Sequence, residues 1–93
     1  RIGDNCVIRS SVHLSHHVCI NDHCFVAAGV VTGGGVSLGE QSFVGLGAIV
    51  RDGVTLAQKT FVGAGAVVLA DTEPNGLYVG SPAKRQNKPA DAI

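Results

Sequence analysis

Two adjacent histidines, His16 and His17, stand in the stretch LSHHVC of a chain otherwise dominated by Val, Gly and Ala. His13 and His23 lie close by, so all four histidines fall between residues 13 and 23. An imidazole, with an ordinary pKa of about 6.5, can take a proton from a hydroxyl or an amine near neutral pH, and it binds zinc readily. Three cysteines, Cys6, Cys19 and Cys24, are the other reactive side chains. A histidine on an outward corner is ordinarily just solvated. What these residues can do therefore depends on the elements that carry them.

Those elements follow from a repeat. In steps of six from Ile2 the chain reads IGDNCV, IRSSVH, LSHHVC, INDHCF, VAAGVV, TGGGVS, LGEQSF, VGLGAI, VRDGVT, LAQKTF, VGAGAV, VLADTE. Twelve hexads run without an insertion; the first position is aliphatic in eleven, Thr32 being the exception, and the fifth is always small or β-branched. One large and one small inward residue per six suits a short strand followed by a tight corner. Three such sides close a coil of eighteen residues. Phe25, Phe43 and Phe61 confirm that period, as do Gly29, Gly47 and Gly65. The expected fold is all-β: a triangular parallel β-helix of about four coils over residues 1–73. Residues 74–93, punctuated by Pro74, Gly76, Gly80 and Pro82, read as a C-terminal loop and tail, ending in a short extended or helical piece.

Composition agrees with that frame. At 93 residues the chain is at most one small domain, 45% hydrophobic but only 4% aromatic, with no Trp or Met and 13 glycines, which favours many short strands over packed helices. No apolar run approaches the ~20 residues that span a bilayer. Net charge is zero, which argues against a nucleic-acid partner. The charge is unevenly spread: residues 1–73 hold four basic and six acidic residues, while 74–93 hold Lys84, Arg85 and Lys88 against Asp91. The start at RIGDN, already inside the repeat, suggests the C-terminal piece of a longer protein.

Cys6 and Cys24 both occupy the inward fifth position eighteen residues apart, so they should stack as reduced core neighbours, because in-register parallel strands rarely offer disulfide torsions. Cys19 should point outward. Three cysteines without secretion signals fit a reducing, cytoplasmic compartment. The Phe column takes the outward sixth position, an apolar stripe to be covered by the tail or by another subunit. A cyclic homotrimer is expected.

The repeat resembles the hexapeptide-repeat acyltransferases, whose left-handed β-helices form trimers and use acyl-CoA donors. Within them, SHHVCIND, SFVGLGAIV, TFVGAGAVV and YVGSPAKR resemble the group of sialic-acid O-acetyltransferases and nucleotide-sugar N-acetyltransferases. The resemblance implies transfer of an acetyl group from acetyl-CoA to a hydroxyl or amino group of a sugar or nucleotide sugar, with no metal. It places the general base on His16, since Ile20 and Asp22 then fit the motif. The group's acidic residue after that histidine is His17 here, a departure that removes an orienting carboxylate and leaves His17 as a solvent-facing neighbour or a possible partner of the acceptor. A second histidine that some members carry nine residues on is Phe25. Acyl-CoA contacts carried over fall on Phe25, Gly34, Leu46 and Ala64, and Lys84 is a candidate for the CoA phosphates. Full-length members usually add an N-terminal domain that helps hold the nucleotide sugar.

Thioester chemistry supports the same residues. His16 takes the third hexad position, and the position stacked on it eighteen later is Gly34, which leaves room beside the imidazole and can offer a backbone N–H to a developing oxyanion. Nothing around Cys19 suggests a lowered pKa, so direct transfer without a covalent enzyme intermediate is expected. His13 and His23 read as surface residues, and the glycine-rich segments mainly as corners needing positive φ. Two alternatives stand beside this reading: a zinc-dependent protein of γ-carbonic-anhydrase type, using the clustered histidines, and a non-catalytic trimeric β-helix fragment.

Overall fold

In the computed structural model, which describes residues 1–90, the hexads build eleven two-residue strands, each formed by the sixth position of one hexad and the first of the next. They are β1 (Val7–Ile8), β2 (His13–Leu14), β3 (Cys19–Ile20), β4 (Phe25–Val26), β5 (Val31–Thr32), β6 (Ser37–Leu38), β7 (Phe43–Val44), β8 (Ile49–Val50), β9 (Thr55–Leu56), β10 (Phe61–Val62) and β11 (Val67–Val68). Every third strand pairs in parallel, always eighteen residues apart: Phe25 on Phe43 on Phe61, Val31 on Ile49 on Val67, Cys19 on Ser37 on Thr55. Three sheets result, and Ile2 adds an isolated parallel bridge to Ile20. The chain is thus a three-sided parallel β-helix of about four coils, consistent with the left-handed solenoid that the resemblance implies.

The core is the repeat turned inward. First-position Ile20, Val26, Leu38, Val44, Val50, Leu56, Val62 and Val68 are buried, and fifth-position Val18, Cys24, Val30, Val36, Ala48, Val54 and Ala66 fill the space between them. Thr32, the one polar first position, is buried as well, and its hydroxyl has no hydrogen-bond partner among the described residues. Lower down the prism the fifth position turns polar, and Ser42, Thr60 and Thr72 solve their burial by bonding to Ala57 O and to each other.

Each corner is held by two interlocking bonds. The second-position N–H reaches a carbonyl one coil on (Gly33 N to Val50 O, 2.9 Å), and the fourth-position N–H reaches back one coil (Gly35 N to His16 O, 2.9 Å). The fourth position is left-handed in the first eleven hexads, at φ 55–62° in Asn5, Ser11, His17, His23, Gln41 and Lys59, and at φ 66–77° in Gly29, Gly35, Gly47, Gly53 and Gly65; Asp71 in the last hexad departs from it. The glycine expectation therefore needs correcting for Gly33, Gly34, Gly39, Gly45 and Gly63, none of which has positive φ. They answer to closeness instead: a Cβ on Gly45 would sit 2.7 Å from Ala64 N, where neighbouring coils touch.

Residues after Glu73 depart from the expected loop. Gly76–Val79 forms β12, which stacks in parallel on β10 with Leu77 beside Phe61, and Lys84–Pro89 forms β13, which returns antiparallel on β12. The step from Phe61 to Leu77 is sixteen residues rather than eighteen, which is why the hexad pattern loses it. Tyr78 Oη accepts a bond from Glu73 N (2.9 Å), and Arg85 meets Glu73 at 3.3 Å, tying the hairpin to the last coil. The end of the expected tail, residues 91–93, lies outside the described residues.

Candidate active site

His16 and His17 sit on the corner between β2 and β3, at its third and fourth positions. Both are exposed. The left-handed backbone at His17, φ 57°, turns its side chain back toward its neighbour, and the two Nδ1 atoms are 3.1 Å apart, with the rings edge-to-face. The Cε1–Nε2 edge of the His16 ring lies over Gly34 on the next coil, where a Cβ on Gly34 would overlap it. The sequence-expected contact between His16 and Gly34 is therefore present in its tightest form. With the two Nδ1 atoms facing each other, Nε2 is the His16 nitrogen without a hydrogen-bond partner among the described residues. Gly33 N and Gly35 N are used in the corner bonds, whereas Gly34 N has no main-chain acceptor among the described residues. An imidazole nitrogen and an uncommitted amide stand on adjacent coils of one corner.

Phe25, Leu46 and Ala64 meet elsewhere. With Arg9, Ala28 and Phe43 they line an apolar groove of about 490 Å³ along the corner between the Phe sheet and the sheet of β5, β8 and β11. Phe25, Phe43 and Phe61 stack face to face with centroids 5.0 and 4.6 Å apart, half-buried by their own contact, while Leu46 remains 60% exposed. Among the described residues the tail does not cover this groove; it prolongs the sheet beyond Phe61 and borders the other flank of the ladder through Asn75 and Ala90. Within one chain the groove and the histidine corner lie on the two sides of the β2–β5–β8–β11 sheet, whose outward residues Val31 and Ile49 are also exposed. Lys84 lies exposed on β13, paired with Val79, and is not among the residues that line the groove.

The four histidines, adjacent in sequence, are spread round the prism. His13 is on β2, His16 and His17 share one corner, and His23 is on the next, bonded through Nδ1 to Asn5 (3.0 Å). Among the described residues no three His, Cys, Asp or Glu side chains converge on one metal position. The cysteines are all free thiols. Cys6 and Cys24 stack inside the prism and donate to Asn21 O (3.1 Å) and Gly39 O (3.2 Å). Burial pushes the Cys24 thiol above its ordinary value; Ser42 and Gln41 N–H groups pull the other way, and the nearby Cys6 and Asp22 add to the rise. Two features escaped the sequence reading: the bond between His16 and His17, and the left-handed backbone at His17 that makes it. The one signal in the sequence was indirect: glycine recurs at Gly29, Gly35, Gly47, Gly53 and Gly65 in the same fourth-position column, while His17 itself gives no sign of left-handed backbone.

Residues 1–34 match the family model for the bacterial transferase hexapeptide of six repeats. No curated protein matches the chain at a significant level. Among solved structures, a histidine-to-asparagine mutant of perosamine N-acetyltransferase from Caulobacter crescentus, in complex with CoA and GDP-perosamine, superposes with a TM-score of 0.92 at 37% identity, over 94% of this chain and 41% of that one. The acetyltransferase domain of PglB from Neisseria gonorrhoeae, in complex with acetyl coenzyme A, does so with a TM-score of 0.87 at 26% identity, over 89% and 40% of the two chains. The chain thus spans about two fifths of the length of these relatives. Repeat, register and likeness together make it a hexapeptide-repeat β-helix of the kind found in sugar N-acetyltransferases.

Proposed function

We propose that this β-helix transfers an acetyl group from acetyl-CoA to an amino or hydroxyl group of a sugar or nucleotide sugar, with His16 as general base. The observation that carries the reading is the His16 ring held between His17 Nδ1 and the Gly34 backbone, with Nε2 left free. Nε2 takes the proton as the acceptor nitrogen or oxygen attacks the thioester carbonyl. The carbonyl oxygen becomes an oxyanion, for which Gly34 N–H is the nearby donor. Collapse of the tetrahedral intermediate breaks the C–S bond, and the CoA thiolate recovers the proton from Nε2. No acyl-enzyme is formed, and no metal takes part.

Phe25, Leu46 and Ala64 supply an apolar wall for the acyl-CoA arm, and Lys84 a cation for its phosphates. In a homotrimer the groove of one copy can face the histidine corner of the next, so that donor and base meet across the subunit boundary. Reduced cysteines support a cytoplasmic setting, and among the described residues no helix is long and apolar enough to cross a membrane. The test is acetyl transfer from acetyl-CoA across a panel of amino sugars and their nucleotide conjugates. His16→Ala should lose about 10²- to 10⁴-fold in kcat, the usual worth of a general base. Wild-type turnover in that variant would refute the histidine-base mechanism.

A further inference from the structure

We infer that His17 is a positioning residue that fixes the base-competent tautomer of His16; the inference rests on the proposed role of His16. Between two imidazoles, an Nδ1···Nδ1 approach of 3.1 Å requires one nitrogen to donate and the other to accept. If His16 donates, its Nε2 carries the free lone pair and His17 is the Nε2–H tautomer. If His17 donates, His16 holds its proton on Nε2 and cannot act as a base there. An isolated imidazole favours the Nε2–H form, so His16 needs an acceptor at Nδ1 to reach the useful one. His17 is the side chain in bonding distance.

The same bond serves the transition state. When Nε2 takes the acceptor's proton, His16 becomes an imidazolium whose Nδ1–H still points at the His17 lone pair, and a charge-assisted bond replaces a neutral one. A carboxylate in that place would also accept, but its charge would hold a proton on His16 more tightly. A neutral imidazole orients without that penalty. It adds a condition of its own: a single proton on the pair blocks the base, whichever ring carries it, because a His17 imidazolium donates to His16 Nδ1. Gly33, Gly34 and Gly35 face the pair from the next coil, Arg1 N approaches Val18 O beside it (2.7 Å), and Asp52 lies beyond Gly33, its Cβ against that glycine.

Position 17 suits substitution, since the same column holds Gly35 and Gly53 at φ 70° and 77°. His17→Gly therefore removes the ring and keeps the corner. It should lower kcat about 10- to 100-fold, the usual cost of losing an orienting partner, with KM for acetyl-CoA and thermal stability unchanged. His17→Asp, which accepts and tolerates left-handed backbone, should restore kcat to within a few-fold and shift the acid limb of the pH profile upward. Imidazole ¹⁵N spectra, at a pH where both rings are neutral, should show His16 protonated at Nδ1 in the wild type and at Nε2 in His17→Gly. Unchanged kcat and pH profile in His17→Gly, with His16→Ala inactive, would overturn the positioning role and leave the base in place. If His16→Ala is active the base reading falls instead, and the spectra still decide the tautomer: an identical His16 signal in both proteins would overturn it.

Discussion

At the scale of single residues, two pairs of side chains meet for opposite reasons. His16 and His17 are exposed neighbours joined by a bond that the corner's left-handed turn creates. Cys6 and Cys24 are eighteen residues apart and meet because the coil returns to the same place. The cysteine pair carries a pH consequence. With its pKa raised by burial, Cys24 keeps its proton in the folded chain at a pH where the unfolded chain has lost it. The unfolded state then binds fewer protons, so stability is full below the ordinary thiol value of about 8.5 and falls as pH rises above it. The melting temperature should decline from about pH 9 upward, and more shallowly in Cys24→Ala. Equal slopes in the two proteins would remove Cys24 as the cause. In the folded chain at pH 8, alkylation should modify Cys19 well before Cys24, as peptide mass spectrometry would show.

At the scale of the element, the unit is a two-residue strand and a four-residue corner, and two kinds of glycine hold it together. Gly47 has φ 66° and open space where a Cβ would go, so its need is conformational. Gly45 has an ordinary backbone and the next coil 2.7 Å from where its Cβ would be, so its need is steric. Gly47→Ala should cost about 1 kcal/mol and Gly47→Asn less, because Asn enters left-handed backbone more readily. At Gly45 the order should reverse: Ala about 1–3 kcal/mol, as for other overpacking, and Asn more. Urea denaturation of the four variants gives the ranking, and the same order at both sites would contradict the distinction. This level was largely legible in the sequence. Aliphatic first positions and small fifth positions set the strand phase, and the three phenylalanines set the coil. Left-handed fourth positions held by His17, Gln41 or Lys59 were not legible, because only glycine announces that backbone by composition. The hairpin of β12 and β13 was hidden too, since its sixteen-residue step and its Gly and Pro imitate a loop.

At the scale of the whole molecule, the three sides of the prism differ in what they show the outside. One carries the Phe ladder, one carries Val31, Ile49 and Val67, and one carries Cys19, Ser37 and Thr55. The two apolar sides meet at the corner of Leu46, which also borders the groove. Apolar surface gathered on one edge is the mark of an association site, and a cyclic arrangement buries one such edge per subunit. Sedimentation of the wild type should give the mass of a trimer. Leu46→Arg, at an exposed position where the isolated fold loses little, should give smaller species and weaker acetyl-CoA binding. A monomeric wild type would exclude the arrangement. The candidate base was legible only through the family resemblance, and the register of the repeat put it on Gly34. Its separation from the groove was not, because nothing in a linear pattern says which corners a subunit presents to its neighbour.

The return of β13 along β12 has a consequence for growth. Each coil of a parallel solenoid ends in a row of unpaired N–H and C=O groups, a template on which another chain could continue the prism. On the Phe sheet that row is occupied by a strand running the other way, with Lys84, Arg85 and Lys88 along it. An antiparallel edge studded with cations is a poor start for a further parallel coil. The hairpin therefore acts as a stopper, keeping a ladder that could in principle polymerise end to end from becoming a fibre on that side.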